Sequence, residues 1–153
     1  MTVKIVPAKL EHIPHIAANV READRQEIWD YALMKPQEAL EKSFHASTVV
    51  STGMVDGVPV CMFGVAPASL LSIVGRPWMI GTSDLNKYAR QFRKRDKMVV
   101  RAMLTHFSYL ENYVEEANVR SVKWLKEIGF QMGEPEPIGP FNRPFIKFWM
   151  EAR

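Results

Sequence analysis

Residues 77–130 read PWMIGTSDLNKYARQFRKRDKMVVRAMLTHFSYLENYVEEANVRSVKWLKEIGF, and this stretch decides the fold. The apolar run Pro77–Thr82 predicts a strand. Gly81 inside it suggests a bulge or a close backbone approach. A basic segment, Lys87–Lys97, reads as a loop. Met98–Leu110 follows with helical periodicity, Val99, Ala102, Met103, His106 and Leu110 sharing a face. Tyr109–Val114 predicts a second strand. Asn118 is a good N-cap, Val122, Leu125 and Ile128 form an apolar stripe, and Gly129 suits the C′ position before Phe130. That order builds a parallel strand pair around a crossover helix, with cations crowded where the helix begins.

Working outward, Val3–Val6 is a short β-prone run ended by Pro7. Pro14 fits a first helical turn, so a helix starts near His12, with Ile13, Ile16, Ala17 and Val20 on its apolar face. Helical character continues over Arg21–Ala32, and Pro36 opens another short helix. His12, His15 and His45 fall at helix margins, where surface or capping roles are expected. His106, on an apolar face, is expected at the core edge. Ser47–Val55 and Val58–Val65 flank Asp56-Gly57, a strong hairpin signal. The run Met62–Val65 suggests a strand buried on both faces, hence central. Pro67–Gly75 reads as a loop, residues 135–140 as a stiff Pro/Gly loop, and Phe145–Met150 as a last strand near the middle of the sheet.

The 153 residues fit a single domain, 1–153, of α/β class: a mixed sheet of six to seven strands with helices on both faces. Hydrophobic residues make up 47% and charged residues 24%, which is ordinary for a globular chain. The net charge of +3 is local in origin. Lys87, Arg90, Arg93, Lys94, Arg95, Lys97 and Arg101 meet one acid, Asp96, and the remainder is slightly acidic. The overall charge therefore does not mark a general polyanion binder. The one cysteine, Cys61, lies in an apolar run; it excludes an internal disulfide and suits a reducing compartment. No run approaches the roughly 18 apolar residues of a membrane span. No secretory signal and no metal-ligand spacing are expected.

The element order resembles the GNAT acyltransferase fold over nearly the whole chain. The most specific piece runs from Asn118 through Ser121 to Gly129-Phe130, and is similar to the Asn-x-x-Ala/Ser…Gly-Phe pattern after the fifth strand of that superfamily. More narrowly, Trp78–Asp84, the basic run, Asn112-Tyr113-Val114 and the Asn118–Gly129 segment resemble the internal virion protein A family of T7-like bacteriophages. That resemblance implies a virion-assembly or internal virion role, in the host cytoplasm or the virion, with other virion proteins as partners. The GNAT resemblance implies acetyl-CoA or CoA as cofactor. Ile80, Gly81, Thr82 and Asn118 would then border it, with Arg90, Arg93, Lys94 and Arg95 near its phosphates.

Two departures bear on activity. A GNAT pyrophosphate loop is glycine-rich, so that backbone amides can wrap phosphate at a helix start. Residues 90–97 contain no glycine. Where many of these enzymes carry a tyrosine acid, this chain has Leu125. Ser83, Asp84, Glu115 and Glu116 are the sequence's catalytic candidates, each more readily explained as a surface or capping residue. For the basic run at residues 87–101, three readings stay open: a solvated face, a nucleotide or CoA phosphate site, and a contact for nucleic acid or an acidic protein.

Overall fold

The computed structural model describes residues 1–153. One sheet of eight strands organises the chain. β1 (Val3–Pro7), β2 (Val49–Val55), β3 (Val58–Pro67) and β4 (Val74–Gly81) run antiparallel in sequence order. β4 then pairs in parallel with β5 (Tyr109–Glu115), which pairs antiparallel with β8 (Arg143–Glu151). The short β6 (Gln131–Met132) and β7 (Glu136–Ile138) both pair with β8. These two short strands raise the total above the six or seven expected. The Asp56-Gly57 turn joins β2 to β3, with both residues at positive φ, as the hairpin signal requires.

The helices divide between the faces. α1 (Ile13–Ala18) follows a 3-10 turn at Leu10–His12, and α2 (Glu22–Ala32) and α3 (Pro36–Ala46) come next. Ile13, Ile16, Ala39 and Leu40 pack on Met62 and Ile80. On the opposite face lie α4 (Leu85–His106) and α5 (Val119–Ile128). Val100 and Met103 pack with Leu110, Val114, Ile146 and Phe148, while Leu85 and Phe92 pack on Val60 and Cys61. Successive residues of β3 thus serve opposite layers, Met62 one and Cys61 the other, as strand geometry dictates. Gly129 ends α5 at φ 118, and Phe130 N–H closes back on the Leu125 carbonyl.

The basic segment is not a loop. Lys87–Lys97 lies wholly inside α4, which runs for 22 residues. No Gly or Pro interrupts residues 85–106, and Leu85, Phe92, Val100 and Met103 recur on its buried face. Strand pairing also takes in Pro67 and Val74–Gly75, which shortens the expected loop to residues 68–73. Of the histidines, one takes its expected capping role while buried, and one departs from expectation. His12 caps the 3-10 turn, its Nδ1 accepting Lys9 N–H, and it is buried with that nitrogen 2.8 Å from the Thr52 hydroxyl; burial lowers its pKa. His106, as the last residue of α4, is exposed rather than at the core edge.

The parallel pairing of β4 and β5 is brief. It covers only Val74↔Tyr109 and Gly75↔Leu110, and then the strands part. Asn112 bridges the first step of the gap. Its Nδ2 donates to the Pro77 carbonyl at 2.9 Å, and its Oδ1 accepts Tyr113 N–H at 2.8 Å. One side chain thus replaces the ladder bonds that the diverging strands can no longer make. Pro77 tolerates its place because its nitrogen has no proton to satisfy. Removing a partner from such groups costs about 1–3 kcal/mol. Asn112→Ala should therefore lower the urea unfolding free energy by about 1–2 kcal/mol, near the lower part of that range because the site is half-buried. An unchanged midpoint would show that water replaces the amide without loss.

Candidate functional site

Beyond Asn112, the split between β4 and β5 is met by α2. Gly81 N–H donates to Asp24 Oδ2 at 2.9 Å, and the Gly81 carbonyl accepts Arg21 N–H at 2.9 Å. Across the gap, Glu115 N–H donates to Glu27 Oε1 at 2.8 Å. Asp24 and Glu27, three residues apart on one helical face, therefore receive the free edges of the two strands. Asn118 joins them: its Nδ2 lies 3.3 Å from Asp24 Oδ1 and 3.4 Å from Glu27 Oε1. Asn118 does occupy the N-cap position of α5, but its side chain caps nothing there and turns to α2 instead. Arg21 clamps Asp24 with Nε and Nη2, both at 3.0 Å, and reaches Asn86 Oδ1 with Nη1 at 3.4 Å.

A cavity of about 330 Å³ follows the split through the sheet. Its walls are mostly apolar, including Ile28, Tyr31, Trp78, Met79, Phe92, Val99, Leu125 and Phe145; Asp24, Glu27 and Asp96 are its acids. Met79 lies between Pro77 and Gly81 in the two-residue strand period, so its peptide group faces the gap. Burial pushes the Glu27 carboxyl up to about 7, partly opposed by the Glu115 N–H bond and reinforced by the Asp24 charge. Burial also raises Glu115 to about 7, with Asp30 adding to the rise. Glu115 is 2% exposed; its Oε2 makes no hydrogen bond and lies 3.6 Å from Arg143 Nε. On the α4 side, burial raises Asp96 to about 6, while the Trp124 indole N–H donates to its Oδ2 and opposes the rise. Cys61 is buried and pushed up to about 12, which suits a packing thiol.

A second hollow of about 270 Å³ lies between α4 and α5 over Met79. Arg21, Arg93, Arg120 and Lys123 line it, with Asn86, Ser121 and Glu127. Glu127 already pairs with Arg93 at 3.3 Å. Side-chain cations could hold an anion here, although a backbone cradle is missing. Thr82 N–H donates to the Val60 carbonyl, Ser83 N–H to Asn19, Leu85 N–H to Thr82, Asn86 N–H to Ser83 and Lys87 N–H to Asp84. With Gly81 N–H on Asp24, Asp84 is the one residue from 81 to 87 whose amide is not engaged by a non-helical partner or the opening turn. A Cβ on Gly81 would stand 2.6 Å from Leu85 Cδ2, so the end of the Leu85 side chain would have to shift to admit one. A diphosphate of CoA does not fit this turn through backbone amides.

The sequence candidates scatter. Ile80, Gly81, Thr82 and Asn118 are buried around the split, and Arg93 lines the α4–α5 hollow. Arg90 and Lys94 are exposed, and Arg95 donates to the carbonyls of Gln91 and Val3 instead. Ser83, Asp84 and Glu116 are exposed, Asp84 pairing with Lys87 at 3.2 Å. Glu115 is no surface residue: its carboxyl is enclosed beside Asp30 and Arg143, at the mouth of the split. Asp24, Glu27, Arg120 and Lys123 escaped sequence reasoning. The i, i+3 spacing of Asp24 and Glu27 was their one visible signal.

No family model matches the sequence, and no curated protein matches it. Solved structures do match the fold. An N-acetyltransferase from Staphylococcus aureus Mu50 superposes with a TM-score of 0.75 at 14% identity, covering 100% of both chains. A ribosomal-protein-alanine N-acetyltransferase from Brucella melitensis gives 0.74 at 15% identity, over 97% of this chain and 99% of that one. The aminoglycoside acetyltransferase AAC(6')-Ib, in complex with coenzyme A and kanamycin, gives 0.67 at 12%, over 98% and 95%.

A carboxyl group whose folded pKa is raised contributes stability below its ordinary value, and that contribution is lost as pH climbs to the folded value. For Glu27 this window runs from 4.5 to about 7. Glu27→Gln keeps an acceptor for Glu115 N–H and removes the buried charge. Above pH 7 it should be more stable than the parent by on the order of 3 kcal/mol, the gain fading toward pH 4.5. Urea midpoints across that range test this, and a pH-independent difference would contradict it. The structure nevertheless establishes the fold, and on all of these observations the chain is a GNAT-fold protein.

Proposed function

We propose that this chain is a bacteriophage GNAT-fold protein that works in virion assembly or as an internal virion component, without acetyltransferase activity. The observation that carries the loss of activity is the engaged backbone from Gly81 to Lys87. A CoA diphosphate needs donors at that turn, and freeing them would unwind the start of α4. Leu125 in place of a tyrosine acid points the same way. The virion role rests on the sequence resemblance over residues 78–130. An assembly role also agrees with the β3–β4 connection, where Leu70 and Leu71 are fully exposed and Ile73 is 68% exposed. Apolar side chains grouped so far into solvent suit contact with another protein. No helix is long and apolar enough to cross a membrane.

A second reading has its own support. An acetyl-CoA-dependent N-acetyltransferase with a divergent, glycine-free loop would draw on Arg93, Arg120 and Lys123 for the phosphates. Glu27, held near neutrality beside the cavity, would suit proton removal from an amine.

Thermal unfolding with acetyl-CoA and CoA at low salt separates the two. A ligand at a hundredfold excess over its Kd adds about 2.7 kcal/mol, or several degrees of midpoint for a domain of this size. The proposal expects no saturable shift at millimolar ligand, together with co-purification of the protein with virions. A saturable shift abolished by Arg93→Glu would overturn it in favour of the enzyme.

A further inference from the structure

The helical state of the basic segment sorts its cations into separate groups. Arg93 faces the α4–α5 hollow and Arg95 turns toward β1. The others, Lys87, Arg90, Lys94, Lys97 and Arg101, recur at steps of three and four residues, and all five are exposed. At 3.6 residues per turn they fall within an arc of about 80°. That arc lies opposite the side carrying Leu85, Phe92 and Met103. Over fourteen residues the row extends about 21 Å. Only Lys87 has an acidic partner, the exposed Asp84. Arg90, Lys94, Lys97 and Arg101 form no ion pair, and the lone acid of the segment, Asp96, is turned inward to Trp124.

We infer that this edge of α4 is a sequence-independent contact surface for double-stranded DNA. Like charges in a row repel one another, and Arg90, Lys94, Lys97 and Arg101 have no acid of the chain to relieve them, Asp84 reaching Lys87 alone. A duplex offers the complement: phosphates at about 3.4 Å of axial rise per strand, so that the row faces about six base-pair steps. The side chains are long, cationic and free to reach phosphate, and none of the five is an aromatic that could stack on unpaired bases. An anionic membrane fits less well, because Met98 is the one large apolar side chain exposed beside the row. The surface is separate from the cavity and from the α4–α5 hollow, so this inference stands or falls apart from the acetyl-CoA question.

Fluorescence anisotropy with a labelled duplex of about twenty base pairs, across salt, tests it. With four to five phosphates engaged, log K against log salt should fall with a slope of about −4. The triple variant Arg90→Glu, Lys94→Glu, Lys97→Glu should lose about a hundredfold or more in affinity and flatten that slope to about −2 or less. A charge-matched control, Lys9→Glu, Arg25→Glu, Lys35→Glu, alters exposed cations of the opposite layer and should keep the parental slope. Far-UV circular dichroism confirms that each variant is folded. No binding at low salt overturns the inference. So does equal weakening by the control, or tighter binding of polyglutamate or anionic vesicles than of duplex.

Discussion

Two carboxylates of α2 hold the ends of two strands that cannot hold each other. Where β4 and β5 separate, each exposes backbone groups to the interior of the sheet. An unmet buried donor costs about 1–3 kcal/mol. Asn112 spans the gap where it is narrow; Asp24 takes Gly81 N–H and Glu27 takes Glu115 N–H where it is wide. Asn118 ties the carboxylates together, and Arg21 neutralises one of them. The arrangement buries acids, and the neutral-range carboxyls of Glu27 and Glu115 are the consequence.

The same cluster shapes what the site can bind. A parallel split in an α/β sheet, next to a helix start, is a natural place for a ligand with phosphates. Here the helix start is closed. Arg21 reaches Asn86 and fixes the beginning of α4 against α2, while Leu85 packs where a Cβ on Gly81 would have to stand. Helix α4 begins directly after the strand and uses its early amides internally. What stays available is a mostly apolar cavity through the sheet, a hollow lined by side-chain cations, and a charged outer edge. The cavity and the hollow share Met79, Leu85, Phe92, Ser121 and Trp124, whereas the charged outer edge lines neither.

Much of the architecture was legible because it rests on local rules. Asp56-Gly57 marks a hairpin, Gly129-Phe130 a helix end, and the apolar stripes their helices. The basic segment misled because its charges obscured a helical pattern: Leu85 and Phe92 are two turns apart, and nothing between them breaks a helix. The site was harder to see. Asp24 and Glu27 look like any polar residues of an exposed helix until the split strands bring their amides to them, a contact spanning 57 residues for Asp24–Gly81. His12 was hidden for the same reason, since its partner Thr52 is 40 residues away. Arg120 and Lys123 have ordinary surface spacing on α5, and only the packing of α5 beside α4 gives them a shared hollow with Arg93.

In the ligand-free chain the α2 carboxylates of Asp24 and Glu27 take up the strand-edge amides of Gly81 and Glu115. Amide hydrogen exchange of the ligand-free protein tests it most directly, read at Gly81 and Glu115. The account predicts that both amides exchange slowly, with protection comparable to the paired amides of β3, and that adding CoA changes neither. Rapid exchange at both positions, slowed only when CoA is present, would contradict it and mean that the carboxylates leave the edge open for a ligand.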